Sequence, residues 1–257
     1  MTSCVRCAKD ERGVTTITIN RPEKHNALNP ELINALVAAF KEAEEDKGSR
    51  LIVLAAEGKS FCSGADLAWM QASADYNEEQ NRQDAQFIEI LMQTVYNCTQ
   101  PVIAKVNGPA YGGGVGLLAC CDIVVCSDQA KFAFTEVRLG LIPAVISPYV
   151  VSAIGSRQAQ RLFMTAERFT ANQALEFGLV HEVCDQTQIE STVMRHIMAL
   201  LKAGPQALKE CKALVRQLAD TNRDIDLPQW IARIRASDEG QIGLKAFLNK
   251  TNPPWLG

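Results

Sequence analysis

Three segments of the 257-residue chain carry residue types whose spacing could do chemistry. The first is Asn107-Gly108-Pro109-Ala110-Tyr111-Gly112-Gly113-Gly114, in which consecutive glycines separate two apolar runs, Val102 to Val106 and Val115 to Ala119. Glycine loses the most backbone freedom on folding, so such a run is destabilising unless something must approach the backbone closely. At a helix start, free N–H groups and the positive end of the helix dipole suit a phosphate or a developing oxyanion. A tight turn with close strand-to-helix packing would also explain the glycines, and both readings stand at this level. The segment is not a P-loop, because no Gly-Lys-Ser/Thr follows, and the GxGxxG spacing fails at Leu117.

A second glycine turn, Phe61-Cys62-Ser63-Gly64-Ala65-Asp66-Leu67, follows the apolar run Leu51 to Leu54. Two such turns at one end of a sheet can offer two convergent backbone donors, enough to hold a carbonyl oxygen as it becomes an enolate. The third segment, Phe134-Thr135-Glu136-Val137, puts one acid directly after a short strand-like run. A lone Glu there more often compensates a helix dipole than moves protons. Cysteines are odd in number, and Cys120, Cys121 and Cys126 sit in apolar runs as reduced core residues do. Cys4 and Cys7 form one CxxC in what reads as a loose N-terminal segment. His25, His181 and His196 supply no ligand spacing, so no metal site is expected.

The elements that must position these segments follow from pattern. Val14 to Ile19 is β-branched and reads as a strand; Asn29-Pro30-Glu31 reads as N-cap, N1 proline and acidic first turn of a helix carrying Leu32, Leu36 and Phe40. Leu51 to Leu54 is a second strand, Asp84 to Val95 a helix and Val102 to Val106 a third strand, with short strands at Ile123 to Val125 and Phe132 to Phe134. Trp69 to Gln83 is polar and poorly patterned. From Ser156 onward helical signals dominate, at Ala171 to Phe177 (capped by Thr170, stopped by Gly178), Ile189 to Leu201, Gln206 to Leu218 and Gln229 to Leu248. The expectation is an α/β fold of repeated strand, strand, helix units, with a core over 1–195 and a helical region over 196–257.

Composition narrows the function classes. With 26 basic against 29 acidic residues and 47% hydrophobic content, the chain is an ordinary globular one without a basic face for nucleic acid. Lys41, Lys47 and Arg50 are interleaved with Glu42, Glu44, Glu45 and Asp46, so an RNA-binding or scaffold role is disfavoured. The best apolar stretch, Leu139 to Ile154, is broken by Gly140, Pro143, Ser147 and Pro148, so no membrane span is expected. Met1 to Arg12 has no apolar h-region, and the expected location is cytoplasmic.

At these segments the chain resembles the crotonase superfamily, the enoyl-CoA hydratases and isomerases. The matching pieces are Arg21-Pro22 with Asn26-Ala27-Leu28, Phe61 to Leu67, Lys105-Val106-Asn107-Gly108 with Gly112-Gly113-Gly114, Cys121-Asp122-Ile123, Glu136-Val137-Arg138-Leu139-Gly140, and Leu175 to Leu179. They occur in family order over nearly the whole chain.

The resemblance implies a crotonase-like spiral, a lyase adding water to an enoyl-CoA, and no cofactor beyond the CoA of the substrate. It puts the two N–H donors for the thioester oxygen on Ala65 and Gly113, and the principal acid on Glu136. The second acid of the two-glutamate hydratases falls on Gly116, which can do no proton chemistry. Together with Ala144-Val145-Ile146-Ser147-Pro148-Tyr149 after Pro143, this favours the branch that hydrates methylglutaconyl-CoA or an isoprenoid homologue, as in leucine or terpene breakdown. A single-glutamate 3,2-enoyl-CoA isomerase is the alternative. By the same resemblance CoA is gripped by Lys24, Ala27, Leu28, Asp66 and Leu67, with Gly112 and Ala144 lining the substrate. Phe247 and Lys250 come from a neighbouring subunit, and the helical tail assembles a homotrimer or hexamer. No residue is assigned to a distal carboxylate, Arg138 included.

Overall fold

A computed structural model of the chain describes residues 3–219 and 224–256. Its main sheet opens with a hairpin in which β1 (Val5–Lys9) runs antiparallel to β2 (Val14–Ile19). The next helix, α1 (Pro30–Glu45), starts where Asn-Pro-Glu predicts. The Asn29 side chain accepts the Leu32 N–H at 2.9 Å, and Leu32, Ile33, Leu36, Ala39, Phe40 and Ala43 form its buried stripe. The chain continues through β3 (Leu51–Ala56), α2 (Leu67–Ala72), α3 (Glu78–Asn97), β4 (Val102–Val106), β5 (Ala110–Tyr111), α4 (Gly113–Cys120), β6 (Ile123–Ser127) and β7 (Lys131–Ala133). Then come α5 (Ser147–Thr165), β8 (Phe169–Thr170), α6 (Ala171–Phe177), β9 (Glu182–Cys184), α7 (Ile189–Leu201), α8 (Pro205–Ala219), α9 (Leu227–Ala236) and α10 (Asp238–Leu248).

The main sheet has the order β1-β2-β3-β4-β6-β9, parallel from β2 onward, and β5, β7 and β8 form a small second sheet. Because strand side chains alternate faces, β3 is apolar on both sides. Ile52 and Leu54 enter the larger core with α1 and α3, while Leu51 and Val53 pack with Val14, Ile103 and Val125 against Ile189, Val193, Ile197 and Leu201 of α7. Helix α7 runs unbroken across residues 195 and 196, where the core was expected to give way to the tail.

Several expectations are corrected. Cys4 and Cys7 do not belong to a loose segment: Cys7 lies on β1 opposite Ile17. Charges at Arg6 and Lys9 mask the strand pattern, as they commonly do on an edge strand. Trp69 to Gln83, polar and poorly patterned in sequence, holds most of α2 and the start of α3; α3 begins at Glu78 rather than Asp84, where Asn77 and Gln80 form a capping box. Helix α5 was not anticipated; Pro148 sits in its first turn, and Gly155, at φ 74°, breaks it. Strands β8 and β9 lie in the part expected to be helical, and Gln229 to Leu248 is two helices, since Ser237 ends α9 and caps α10 with its hydroxyl.

The tail packs at the N-terminal ends of the parallel strands. Arg50, just before β3, donates to the carbonyls of Leu201, Ala203 and Trp255. Asp122, just before β6, receives Lys212 at 2.5 Å and Arg216 at 3.2 Å, and Lys212 also donates to the carbonyl of Gln100, two residues before β4. Among the described residues no helix is long and apolar enough to cross a membrane.

Candidate active site

The opposite, C-terminal ends of the same strands are built from irregular backbone held by a few buried polar side chains. Asn26 is fully buried and in the left-handed conformation (φ 56°), which Asn tolerates better than most residues. Its carbonyl oxygen accepts the Arg21 N–H at 2.9 Å, and its amide donates to the carbonyls of Glu57 and Ser60 at 2.8 and 2.7 Å. Every polar atom of this side chain is used, so the segment after β2 is fixed to the one after β3.

From there the Phe61–Asp66 loop is stitched on two sides. On one side Leu28 pairs with Ala65 in a parallel bridge: the Leu28 N–H donates to the Gly64 carbonyl at 2.7 Å and the Asp66 N–H to the Leu28 carbonyl at 2.8 Å. On the other, Cys62 pairs with Ala110, and the Tyr111 N–H donates to the Cys62 carbonyl at 2.9 Å. The glycine run therefore has a structural reason at Gly114, where a Cβ would stand 2.5 Å from the Cys62 carbonyl oxygen.

Gly112 precedes α4 with φ 49° and ψ −117°, a conformation strained for any L side chain. A Cβ there would also lie 2.9 Å from Oε1 of Glu136. One built on Gly113 would meet Cδ1 of Leu28, the bridge partner of Ala65, at 3.0 Å. Glu136, the Gly112–Gly113 pair, Leu28 and Ala65 are thus brought together from four separate stretches of fold. Gly113 opens α4, where an N–H has no intrahelical acceptor. Among the described residues neither the Ala65 N–H nor the Gly113 N–H donates to a protein acceptor.

Glu136 opens a single 3-10 turn (Glu136–Leu139) that Gly140 closes at φ 73°. Its Oε2 is buried and, among the described residues, has no hydrogen-bond partner. Burial pushes the carboxyl above the usual carboxylate range, against hydrogen bonds from its own N–H and that of Thr135. One turn of α4 past Gly113, the space beside Gly116 is apolar and full: a Cβ would stand 2.3 Å from Cγ2 of Ile146 and 3.3 Å from Sδ of Met92.

The remaining expected residues are spread more widely. Ala27 is buried with its carbonyl engaged by Arg21, and Asp66 is occupied inside the protein, accepting the Ala68 N–H as N-cap of α2 and the Arg21 guanidinium. Leu67 is 81% exposed beside Ala65, Lys24 is exposed in the Pro22–Lys24 turn, and Ala144 is exposed between the Glu136 turn and α5. Phe247 is 80% exposed near the end of α10, whose packing partners are α8 and α9, so within one chain it and Lys250 do not join the site. Arg138 donates to the Ala166 carbonyl at 2.8 Å. His181 accepts the Val124 N–H through Nδ1, and His25 pairs with Ser60. A cavity of about 320 Å³ lined by Tyr96, Asp122, Tyr149 and Arg216 lies at the tail end of the strands, away from Glu136. Among the described residues no three His, Cys, Asp or Glu side chains gather to hold a metal.

Sequence reasoning missed Arg21 and Asn26 as fasteners and Ile146 as the occupant of the space beside Gly116. The Asn-Ala-Leu piece held a readable signal, since a turn Asn favours left-handed backbone; Ile146 gave none, being remote in sequence.

Two backbone N–H groups without acceptors and a carboxylate with one unpartnered oxygen, among the described residues, gather from the segments after β2, β3, β5 and β7, as suits an α/β fold of crotonase architecture. The sequence pattern of the enoyl-CoA hydratase/isomerase family matches residues 9–257, and the chain belongs to that family. A solved Legionella pneumophila protein of the enoyl-CoA hydratase/isomerase (crotonase) type is 42% identical with a TM-score of 0.92, covering 99% of this chain and 100% of its own. An enoyl-CoA hydratase of Shewanella pealeana is 39% identical with a TM-score of 0.94, over 98% and 96%. The enoyl-CoA hydratase ACTT6 of Alternaria alternata is 34% identical over 254 residues, 95% of this chain and 82% of that protein. The chain is an enzyme of the enoyl-CoA hydratase type, and this chemistry needs no cofactor beyond the CoA of the substrate.

Proposed function

We propose that the enzyme adds water across the 2,3 double bond of a branched glutaconyl-type CoA thioester, with Glu136 as its one acid/base and the Ala65 and Gly113 N–H groups as donors to the thioester oxygen. Glu136 takes a proton from water, the hydroxyl adds to carbon 3, negative charge gathers on the thioester oxygen between the two N–H groups, and Glu136 returns a proton to carbon 2. The observation that carries this reading is the carboxylate of Glu136, with Oε1 over Gly112 and Oε2 buried without a partner among the described residues, beside two N–H groups that find no acceptor there. Ile146 and Met92 support a single-carboxylate mechanism, since they fill the space beside Gly116 with apolar groups.

The same observation favours a second reading, 3,2-enoyl-CoA isomerisation, in which one carboxylate shuttles a proton between carbons 4 and 2. A panel of thioesters separates the two: 3-methylglutaconyl-CoA, crotonyl-CoA and a 3-enoyl-CoA, each followed for water uptake and for double-bond migration. Fastest hydration of the glutaconyl thioester supports the first reading; migration of the 3-enoyl thioester without water uptake replaces it with the second.

CoA binding is assigned to the backbone of Ala27, Leu28, Asp66 and Leu67, with Lys24 near the phosphates. The region 196–257 is assigned to assembly of a trimer or paired trimers, in which Phe247 and Lys250 reach a neighbour's CoA. The exposure of Ile231 (56%), Phe247 (80%) and Leu248 (69%) supports this, since such apolar surface is usually covered. The buried thiols of Cys62, Cys98, Cys120, Cys121 and Cys126 suit a reducing compartment, the cytoplasm.

A further inference from the structure

We infer that Arg21 is a positioning residue for the reaction, fixing the direction of the Ala65 N–H through the Ala27 carbonyl and the Asp66 carboxylate; this rests on the donor role proposed above for Ala65. The guanidinium forks. One terminal nitrogen donates to the Ala27 carbonyl at 2.6 Å, and the other to Oδ2 of Asp66 at 3.0 Å. Ala27 immediately precedes Leu28, Asp66 immediately follows Ala65, and Leu28 and Ala65 are bridge partners. The fork therefore closes a bracket around the one bridge whose free N–H belongs to Ala65.

That bridge needs a bracket. It is isolated, with two backbone hydrogen bonds and no ladder on either side. Asn26 anchors the loop further back, at Glu57 and Ser60, but nothing else among the described side chains ties Asp66 to the Ala27–Leu28 segment. The pair is well placed to hold, since its side chains are only 15% (Arg21) and 9% (Asp66) exposed and so are little screened by salt. Oδ1 of Asp66 meanwhile accepts the Ala68 N–H at 2.9 Å, which fixes the carboxylate against the start of α2. Lysine does not reproduce the fork, because its single nitrogen must reach both acceptors from one point rather than from the two ends of a rigid planar group.

A staple that served only the fold would change stability and leave the folded enzyme's turnover alone. A positioning residue changes turnover more than substrate binding, because a donor displaced by a fraction of an ångström is lost chiefly in the transition state. The test uses Arg21→Lys, which keeps the charge, and Asp66→Asn, which keeps an acceptor for the Ala68 N–H. Each is measured for thermal melting and for kcat and KM with crotonyl-CoA. The infrared carbonyl stretch of bound crotonyl-CoA is recorded in a Glu136→Gln background that blocks turnover.

The expected result is folded protein, kcat lower by about tenfold to a hundredfold, KM changed much less, and a carbonyl stretch moved back toward that of free thioester. Wild-type kcat in the folded variants, or a carbonyl shift unaltered by them, overturns the role of Arg21 while leaving the donor role of Ala65 intact. A carbonyl stretch equal to that of free thioester with Arg21 and Asp66 both in place overturns the donor role itself. Should Arg21→Lys fail to fold, Asp66→Asn decides by the same readouts.

Discussion

The two ends of the parallel sheet are built from similar materials for opposite purposes. At the tail end, the carboxylate of Asp122 is met by Lys212 and Arg216, the Lys212 ammonium also holds the Gln100 carbonyl, and Arg50 takes up three carbonyls of the tail. At the other end, a carboxylate oxygen and two backbone N–H groups are left without partners among the described residues. Buried polar groups are ordinarily satisfied, because each unmade hydrogen bond costs about 1–3 kcal/mol. The contrast teaches that stability is built at one end and withheld at the other, where the unpaired groups are free for substrate.

The largest way to break this contrast is Glu136→Gln, which keeps volume and removes proton transfer. Turnover should fall about a hundredfold to ten-thousandfold in a steady-state assay, with CoA-thioester binding retained. Its stability should move the other way. Burial raises the Glu136 carboxyl above the usual range, so the folded state holds that proton more tightly than the unfolded chain does. A stability penalty therefore enters as pH rises through the window between the unfolded value and the raised folded one, and is complete above the folded value. Thermal melting at pH 7 should show Glu136→Gln at least as stable as the parent, whereas a clear loss would mean that favourable contacts of the carboxylate outweigh its burial.

Gly113→Val comes next. The valine Cβ would press on Leu28 Cδ1 at 3.0 Å and crowd the N–H beside it, so kcat should fall about a hundredfold or more, as when an oxyanion donor is lost. Near-parental kcat in this variant would move the donor elsewhere. Gly116→Glu sharpens the single-acid reading, since a side chain there must displace Ile146. Chemical denaturation should show a loss on the order of 3 kcal/mol from overpacking and an unpaired buried charge, with no gain in crotonyl-CoA hydration. At the tail end, Asp122→Asn should leave kcat alone and cost about 2 kcal/mol, because the buried Lys212 loses its counter-charge. A fall in kcat without a fall in stability would erase the distinction between the two ends.

Much of this was legible in the sequence where local rules act alone. The Asn29 cap, the limits of β2, β4, α6 and α7, and the two glycine turns all follow from short-range pattern. Reading failed where tertiary packing decides: β9 is a strand because it pairs with β6, α5 continues past the break at Gly155, and the edge strand β1 hides behind its charges. At the site, the glycines and Glu136 could be picked out by residue type, but only the folded chain brings Oε1 of Glu136 over Gly112 and sets Ile146 against Gly116.

The most direct test is the pH dependence of log kcat/KM for hydration. If Glu136 is the one titrating acid/base, the profile has a single acidic limb of unit slope, centred above the usual carboxylate range because the group is buried. A limb of slope two, or one centred at an ordinary carboxylate value, would show that a second carboxylate or a solvent-exposed one does the chemistry, and the single-acid site described for Glu136 would be wrong.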